Sequence, residues 1–159
     1  GGNVENRMRL LNQVLDAVLE EWDSQSVGVR LTPENSFNNM SDSNPQSHFN
    51  YFIQQLNTRN LAFIHLLEGD MMSADRKVDY RALRDAFNGM YMANNGYDKS
   101  RAEKALQAGN SDVIAFGIPF IANPDLVQRY KENLPLNDAD QGTFYGGDET
   151  GYTDYPFAG

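Results

Sequence analysis

Four short apolar runs, each followed by a stretch with helical spacing, limit this sequence to one broad fold class. The runs are 26–31 (Ser-Val-Gly-Val-Arg-Leu), 61–67 (Leu-Ala-Phe-Ile-His-Leu-Leu), 89–93 (Gly-Met-Tyr-Met-Ala) and 112–116 (Asp-Val-Ile-Ala-Phe). Short, β-branched or aromatic and bounded by turn residues, they read as strands. Helical spacing follows each: 46–56 lines up Phe49, Phe52, Ile53 and Leu56, and 79–87 lines up Tyr80, Leu83 and Phe87. Segment 99–108 ends at Gly109, a C-cap residue, and 124–132 is the last helix. A leading helix over 4–22 carries Val4, Met8, Leu11, Val14 or Leu15, Val18, Leu19 and Trp22 on one stripe, with Asn3 placed to cap it. Such alternation predicts an α/β fold with a parallel sheet and right-handed crossovers. The strands are nearly continuous apolar runs, the pattern of strands covered on both faces. Four strand–helix units fit either a small open sheet or half of an eight-unit barrel, which typically takes ~250 residues. Periodicity leaves both open.

With 159 residues the chain is long enough for one domain with a core. Its net charge of −9, from 22 acidic and 13 basic residues with no basic run, argues against nucleic acid or anionic lipid as a partner. The lack of cysteine excludes disulfides, a thiolate nucleophile and cysteine-based metal sites, and fits a cytoplasmic location. No apolar stretch approaches the ~18 residues of a membrane span. A start on Gly1-Gly2-Asn3 carries no signal peptide and reads as a cut inside a longer chain. From Leu134 the composition shifts to Gly, Tyr, Asp and Pro. Residues 1–133 are therefore expected to form the strand–helix body, and 134–159 an irregular arm.

Two turns stand out. The apolar run from Val113 ends in Gly117, turns through Pro119 and re-enters a helix at Asn123-Pro124. One unit earlier, Asn94-Asn95-Gly96 makes a matching turn. In α/β barrels the loops after the last two strands often hold a phosphate, so the pair suggests a phosphorylated cofactor. The competing reading of Asn95-Gly96 is a plain left-handed turn, which Asn tolerates better than other non-glycine residues. His65, mid-strand among apolar neighbours, reads as a hydrogen-bonded core residue, and His48 as solvated. Two histidines and no cysteine make no zinc set. Asp42, Glu68 and Asp70 lie in strand-exit loops without a nucleophile or metal partner and read as structural. Met71, Met72, Met90 and Met92 read as core and cavity lining, and Trp22 as packing at a helix end.

Six motifs then occur in order: Gly-Gly-Asn-Val-Glu-Asn-Arg-Met-Arg at 1–9, Val-Gly-Val-Arg-Leu-Thr-Pro at 27–33, Asn-Leu-Ala-Phe-Ile-His at 60–65, Asn-Gly-Tyr-Asp at 95–98, the run 116–126, and a tail. The tail reads Thr-Phe-Tyr-Gly-Gly-Asp at 143–148 and Gly-Tyr-Thr-Asp-Tyr-Pro at 151–156. Together they resemble the second half of the old yellow enzyme family of flavin-dependent ene-reductases. The resemblance covers essentially the whole chain. It implies strands five to eight of a TIM (β/α)8 barrel, completed by another chain or segment, with non-covalent FMN at the C-terminal ends of the strands. It also implies that NAD(P)H reduces the flavin, which passes hydride to an activated C=C bond of an α,β-unsaturated carbonyl or nitro compound.

Residue by residue, the resemblance places the Arg30 guanidinium at the pyrimidine edge of the flavin. Asn95, where many relatives have Gly, and Gly96 would offer backbone N–H groups to the phosphate, and Gly117 another. Ile118 stands where most of the family has a phosphate-clamping Arg. Tyr145 resembles a residue lining the substrate cavity, the alternative being an aromatic that packs the tail. The family's His/His or His/Asn substrate anchor and its proton-donating Tyr lie upstream of Gly1, so no catalytic residue is expected in this chain. The expected partner is a complementary N-terminal half-barrel, or a second copy through self-association. The alternative function is a non-catalytic, self-associating half-barrel that binds flavin weakly or not at all, since open sheet edges and symmetric pairing favour association.

Overall fold

Asn3 opens the first helix: its side-chain oxygen accepts the Asn6 N–H at 3.0 Å, so α1 (Val4–Glu21) begins where an otherwise orphaned donor finds a partner. Its apolar stripe buries Met8 and Leu15. Trp22, expected to pack, is instead 66 % exposed. It is the C-cap, in extended conformation, and so leaves the stripe where the helix ends. The computed structural model describes residues 1–73 and 75–159, which divide into two units, Gly1–Ala115 and Phe116–Gly159.

The first unit holds four strands: β1 (Gly28–Leu31), β2 (Phe63–Leu67), β3 (Met90–Asn94) and β4 (Val113–Ala115). All are parallel and lie in chain order, with Gly28 opposite Phe63, Phe63 opposite Met90 and Met92 opposite Val113. The connections run through α2 (Pro45–Asn57), α3 (Tyr80–Asp85) and α4 (Lys99–Gln107). Asn44, Asp79 and Asp98 cap these helices through their side chains, and Pro45 occupies the first turn of α2, where its missing N–H costs nothing. Gly109, at φ +66°, follows α4 in the left-handed conformation that closes a helix.

Alternation along the strands separates two faces. Ile64, Leu66, Tyr91 and Ala93 are buried with Ile53, Leu56, Leu83 and Phe87 of the helical layer. Arg30, Phe63, His65, Met90, Met92 and Val113 point to the other face and are only partly covered, Met90 remaining 46 % exposed. Met90, Met71 and Met72 are thus not core residues: the first lies on the uncovered face and the other two on the loop after β2. An α/β sheet with helices on one face and apolar side chains on the other is half of a (β/α)8 arrangement, whose interior side chains pack against the remaining strands.

The second unit differs from the sequence expectation. Pro119 does not turn the chain; it sits in the first turn of α5 (Ile118–Ala122), where proline is favoured. The break falls at Asn123, whose side chain donates to the Pro119 carbonyl at 2.8 Å and accepts the Asn137 N–H at 2.7 Å. Next comes α6 (Leu126–Glu132), closed by Asn133 in the left-handed conformation. Beyond it, the only regular element among the described residues is a 3₁₀ turn at Gln141–Thr143. Arg129 ties this arm down. It donates to Asp125 Oδ1 at 2.6 Å, to the Pro135 carbonyl at 2.5 Å and to the Pro156 carbonyl at 2.8 Å. The Ala158 N–H, bonded to Asp125 Oδ2 at 2.7 Å, and then Arg129 hold the Asp125 carboxyl below the usual carboxylate range. Among the described residues no helix is long and apolar enough to cross a membrane.

Candidate functional site

Arg30 lies near the end of β1 on the uncovered face. Its guanidinium donates to Asn94 Oδ1 at 3.2 Å, and Asn94 Nδ2 donates onward to the Ala115 carbonyl at 2.8 Å. A polar rung therefore joins β1, β3 and β4 across the C-terminal ends of the strands. His65 is in register with Arg30 on one side and Met92 on the other. Rather than a hydrogen-bonded core residue, it presents a buried Nε2 with no partner among the described residues.

Burial, and then the Arg30 charge beside it, push the His65 pKa below its ordinary 6.5. The sign follows by linkage. The unfolded chain takes up the proton first, so stability held above pH 6.5 is lost progressively as the pH falls toward the folded-state pKa. Arg30→Met removes the repulsion and is expected to raise the His65 pKa in an NMR titration of the ring. An unchanged value would mean that burial alone sets it.

β3 ends in the turn read from sequence. Asn95 (φ 90°) and Gly96 (φ 65°) are both in the left-handed region, and the Asn95 side chain secures the strain by donating to the Glu68 carbonyl at 2.9 Å. Two arginines stand behind it. Arg76 donates to the Asn95 carbonyl at 2.6 Å, and Arg101 to the Gly96 carbonyl at 3.0 Å. Both guanidinium groups lie over the Tyr97 ring, at 5.5 Å and 4.6 Å from its centroid. A cleft of about 420 Å³ opens among Glu68, Arg76, Tyr80, Tyr97, Arg101 and Lys104.

Glu68, 4 % exposed, is the hub of this arrangement. Its carboxylate accepts from Arg76 at 2.6 Å, from the Tyr97 hydroxyl at 2.7 Å and from the Tyr91 hydroxyl at 2.9 Å. Burial, then the bond to Glu68, push the Tyr97 hydroxyl up to about 12, and burial pushes that of Tyr91 higher still. Both are neutral donors at physiological pH. Arg76 and Arg101 escaped the sequence reading, Asn94 entered it only as a turn residue, and Glu68 only as a structural carboxylate. Arg30 and Asn94 meet across 64 positions and Glu68 meets Tyr91 and Tyr97 across 23 and 29, separations that no local spacing reveals.

In the second unit, Gly117 caps α5 without a side-chain bond, and a Cβ there would meet nothing within 4 Å. Ile118 follows, 52 % exposed, while Tyr145 in the arm is 92 % exposed. Arg30, Asn95 and Gly96 therefore belong to one unit, and Gly117, Ile118 and Tyr145 to the other. His48 is not solvated: its Nδ1 lies 2.7 Å from Asp42 Oδ1, and Arg7 lies 3.8 Å from the same carboxylate.

A four-stranded parallel sheet in chain order, with its helices between the strands and a left-handed turn after β3, is the α/β arrangement of a (β/α)8 barrel fragment. The sequence pattern of the NADH:flavin oxidoreductase / NADH oxidase family matches residues 1–137, and the chain belongs to this family of FMN oxidoreductases, which includes old yellow enzyme. It is 43 % identical over 157 residues to a probable flavin mononucleotide-dependent alkene reductase of Leishmania infantum. It is 40 % identical over 163 residues to 12-oxophytodienoate reductase 1 of Oryza sativa subsp. japonica. Each alignment covers 99 % of this chain and 43 % of the relative. Among solved structures, morphinone reductase in complex with tetrahydroNAD matches with a TM-score of 0.91 at 39 % identity, over 100 % of this chain and 43 % of that one. The old yellow enzyme from Trypanosoma cruzi matches at 0.95 and 33 % identity, over 99 % and 42 %. The chain thus spans less than half the length of these relatives, as expected for half of a barrel.

Proposed function

We propose that this chain is the FMN-binding half of an oxidoreductase that uses NAD(P)H to reduce the activated C=C bond of an α,β-unsaturated carbonyl or nitro compound. The observation that carries the reading is the Asn95-Gly96 turn, whose two carbonyls are turned onto arginines while Arg30, on β1, reaches the end of β3 at Asn94. FMN, when bound, supplies hydride transfer between the nicotinamide and the alkene. Arg30, oriented by Asn94, would hold the pyrimidine edge of the ring and favour negative charge there. Gly96 offers its N–H to the phosphate. The roles given by the family likeness to Asn95, Gly117, Ile118 and Tyr145 belong to the same proposal.

Ile118 brings no charge to a phosphate. Ile118→Arg is therefore expected to tighten FMN binding roughly ten- to a hundredfold, the worth of one charge-assisted hydrogen bond. An unchanged dissociation constant would mean that the phosphate is held without this position.

The proposed partner is a complementary N-terminal half-barrel carrying the substrate-anchoring and proton-donating groups. Three features support it: the uncovered sheet face, the outer edges of β1 and β4, and the unpartnered Nε2 of His65. The cysteine-free composition supports a cytoplasmic setting, and the acidic charge balance a small-molecule substrate. The test is an FMN titration followed by flavin fluorescence, first on the chain alone and then with the N-terminal half of a relative added. Saturable binding, with NAD(P)H-dependent reduction of an unsaturated ketone once both halves are present, is the expected result. The same open edges favour the second reading, a self-associating half-barrel. Stable dimers without flavin binding, and no activity when the second half is added, would establish that reading instead.

A further inference from the structure

We infer that Arg76 and Arg101 are positioning residues for the FMN phosphate: they turn two consecutive peptide N–H groups toward it, and Arg101 adds positive charge behind them. This rests on the FMN reading above and goes beyond it, because neither arginine belongs to the turn.

In a trans peptide the C=O and the following N–H point in opposite directions. Arg76 holds the Asn95 carbonyl and Arg101 the Gly96 carbonyl. The N–H groups of Gly96 and Tyr97 must then face away from the arginines. No backbone carbonyl among the described residues accepts from either. The result is a pair of aligned donors backed by the Arg101 cation and by the Arg76–Glu68 ion pair, an arrangement suited to a phosphate. Each guanidinium is itself fixed. Arg76 is locked by the Glu68 carboxylate at 2.6 Å, and Arg101 is stacked on the Tyr97 ring at 4.6 Å. The donors are therefore set before any anion arrives, which lowers the cost of binding it. A turn needed only for chain reversal would require no charge here, since Gly96 is an exposed residue whose carbonyl water could satisfy.

The test compares FMN with riboflavin, which has the same ring and ribityl chain but no phosphate. Dissociation constants for both are measured on the full chain with the complementary half present, for the wild type, Arg101→Met, Arg101→Lys and Arg76→Gln. The ratio of the riboflavin constant to the FMN constant reads the grip on phosphate alone. Arg101→Met is expected to lower that ratio about tenfold while moving riboflavin affinity less than about twofold. Arg101→Lys should restore part of the loss, and Arg76→Gln should act in the same direction. Arg101 is exposed, so its variants keep the test decisive even if Arg76→Gln fails to fold. An unchanged ratio, or equal weakening of both ligands, would overturn the inference by leaving the arginines a purely structural role. A wild type that binds FMN and riboflavin equally would overturn it while sparing the FMN reading. A wild type that binds neither would remove both.

Discussion

Glu68→Leu is expected to lower the stability of the chain by about 3–5 kcal/mol in a urea titration, the cost of breaking a buried ionic cluster by removing one partner. Glu68 accepts three bonds, from Arg76, Tyr97 and Tyr91, and the leucine accepts none. Arg76 would be left with only the Asn95 carbonyl, and the Tyr91 hydroxyl would be stranded in a position with no solvent access. The complementary change, Tyr91→Phe, removes one donor and leaves a carboxylate still bound by two, so it should cost only about 1–3 kcal/mol. The order of the two effects is the test. If Tyr91→Phe proves as damaging as Glu68→Leu, packing around Tyr91 rather than the carboxylate holds this region together.

Arg129→Met is expected to loosen the arm over 134–159. One side chain joins α6 to the Pro135 and Pro156 carbonyls, and its partner Asp125 holds the Ala158 N–H. Methionine fills much of the space and makes none of these bonds. Asp125 would then sit beside α6 without its cation, although it keeps the Ala158 N–H. Cleavage by a protease of broad specificity between residues 134 and 159 should rise at least ~tenfold, because proteolysis through local opening follows the population of the open form. Mass spectrometry of the early fragments would locate the cuts. Equal resistance in wild type and variant would assign the arm's order to Asn137, which donates to the Ala122 and Pro156 carbonyls at 2.7 Å and 2.8 Å.

The parts of the molecule legible in the sequence are those set by neighbours along the chain. The run 61–67 became β2 at Phe63–Leu67, and 46–56 became α2 at Pro45–Asn57, because period and capping are local properties. The run 26–31 was read two residues early: Ser24–Ser26 form a 3₁₀ turn whose Ser24 carbonyl accepts the Ala62 N–H at 3.1 Å, a long-range bond. Pro119 misled for a different reason, since proline both ends helices and favours their first turn. Burial was the least legible property. Met90 and Trp22 look like core residues by type, but what covers a side chain depends on the whole fold. His65 is the clearest case: its residue type and apolar neighbours suggest a satisfied core histidine, and only the three-dimensional sheet exposes its unpaired nitrogen.

The in-order pairing of the strands has a consequence for chain continuity. Gly28 pairs with Phe63, Phe63 with Met90, and Met92 with Val113, so no strand of this sheet borrows its partner from a remote part of the polypeptide. An interruption of the backbone ahead of α1 would leave every one of these ladders intact. The proposed complementary half could then close with this sheet at its two edges without one chain threading through the other. A covalent link between them would then act mainly by raising their effective concentration, and the same closed form would be reachable from separate polypeptides at sufficient abundance.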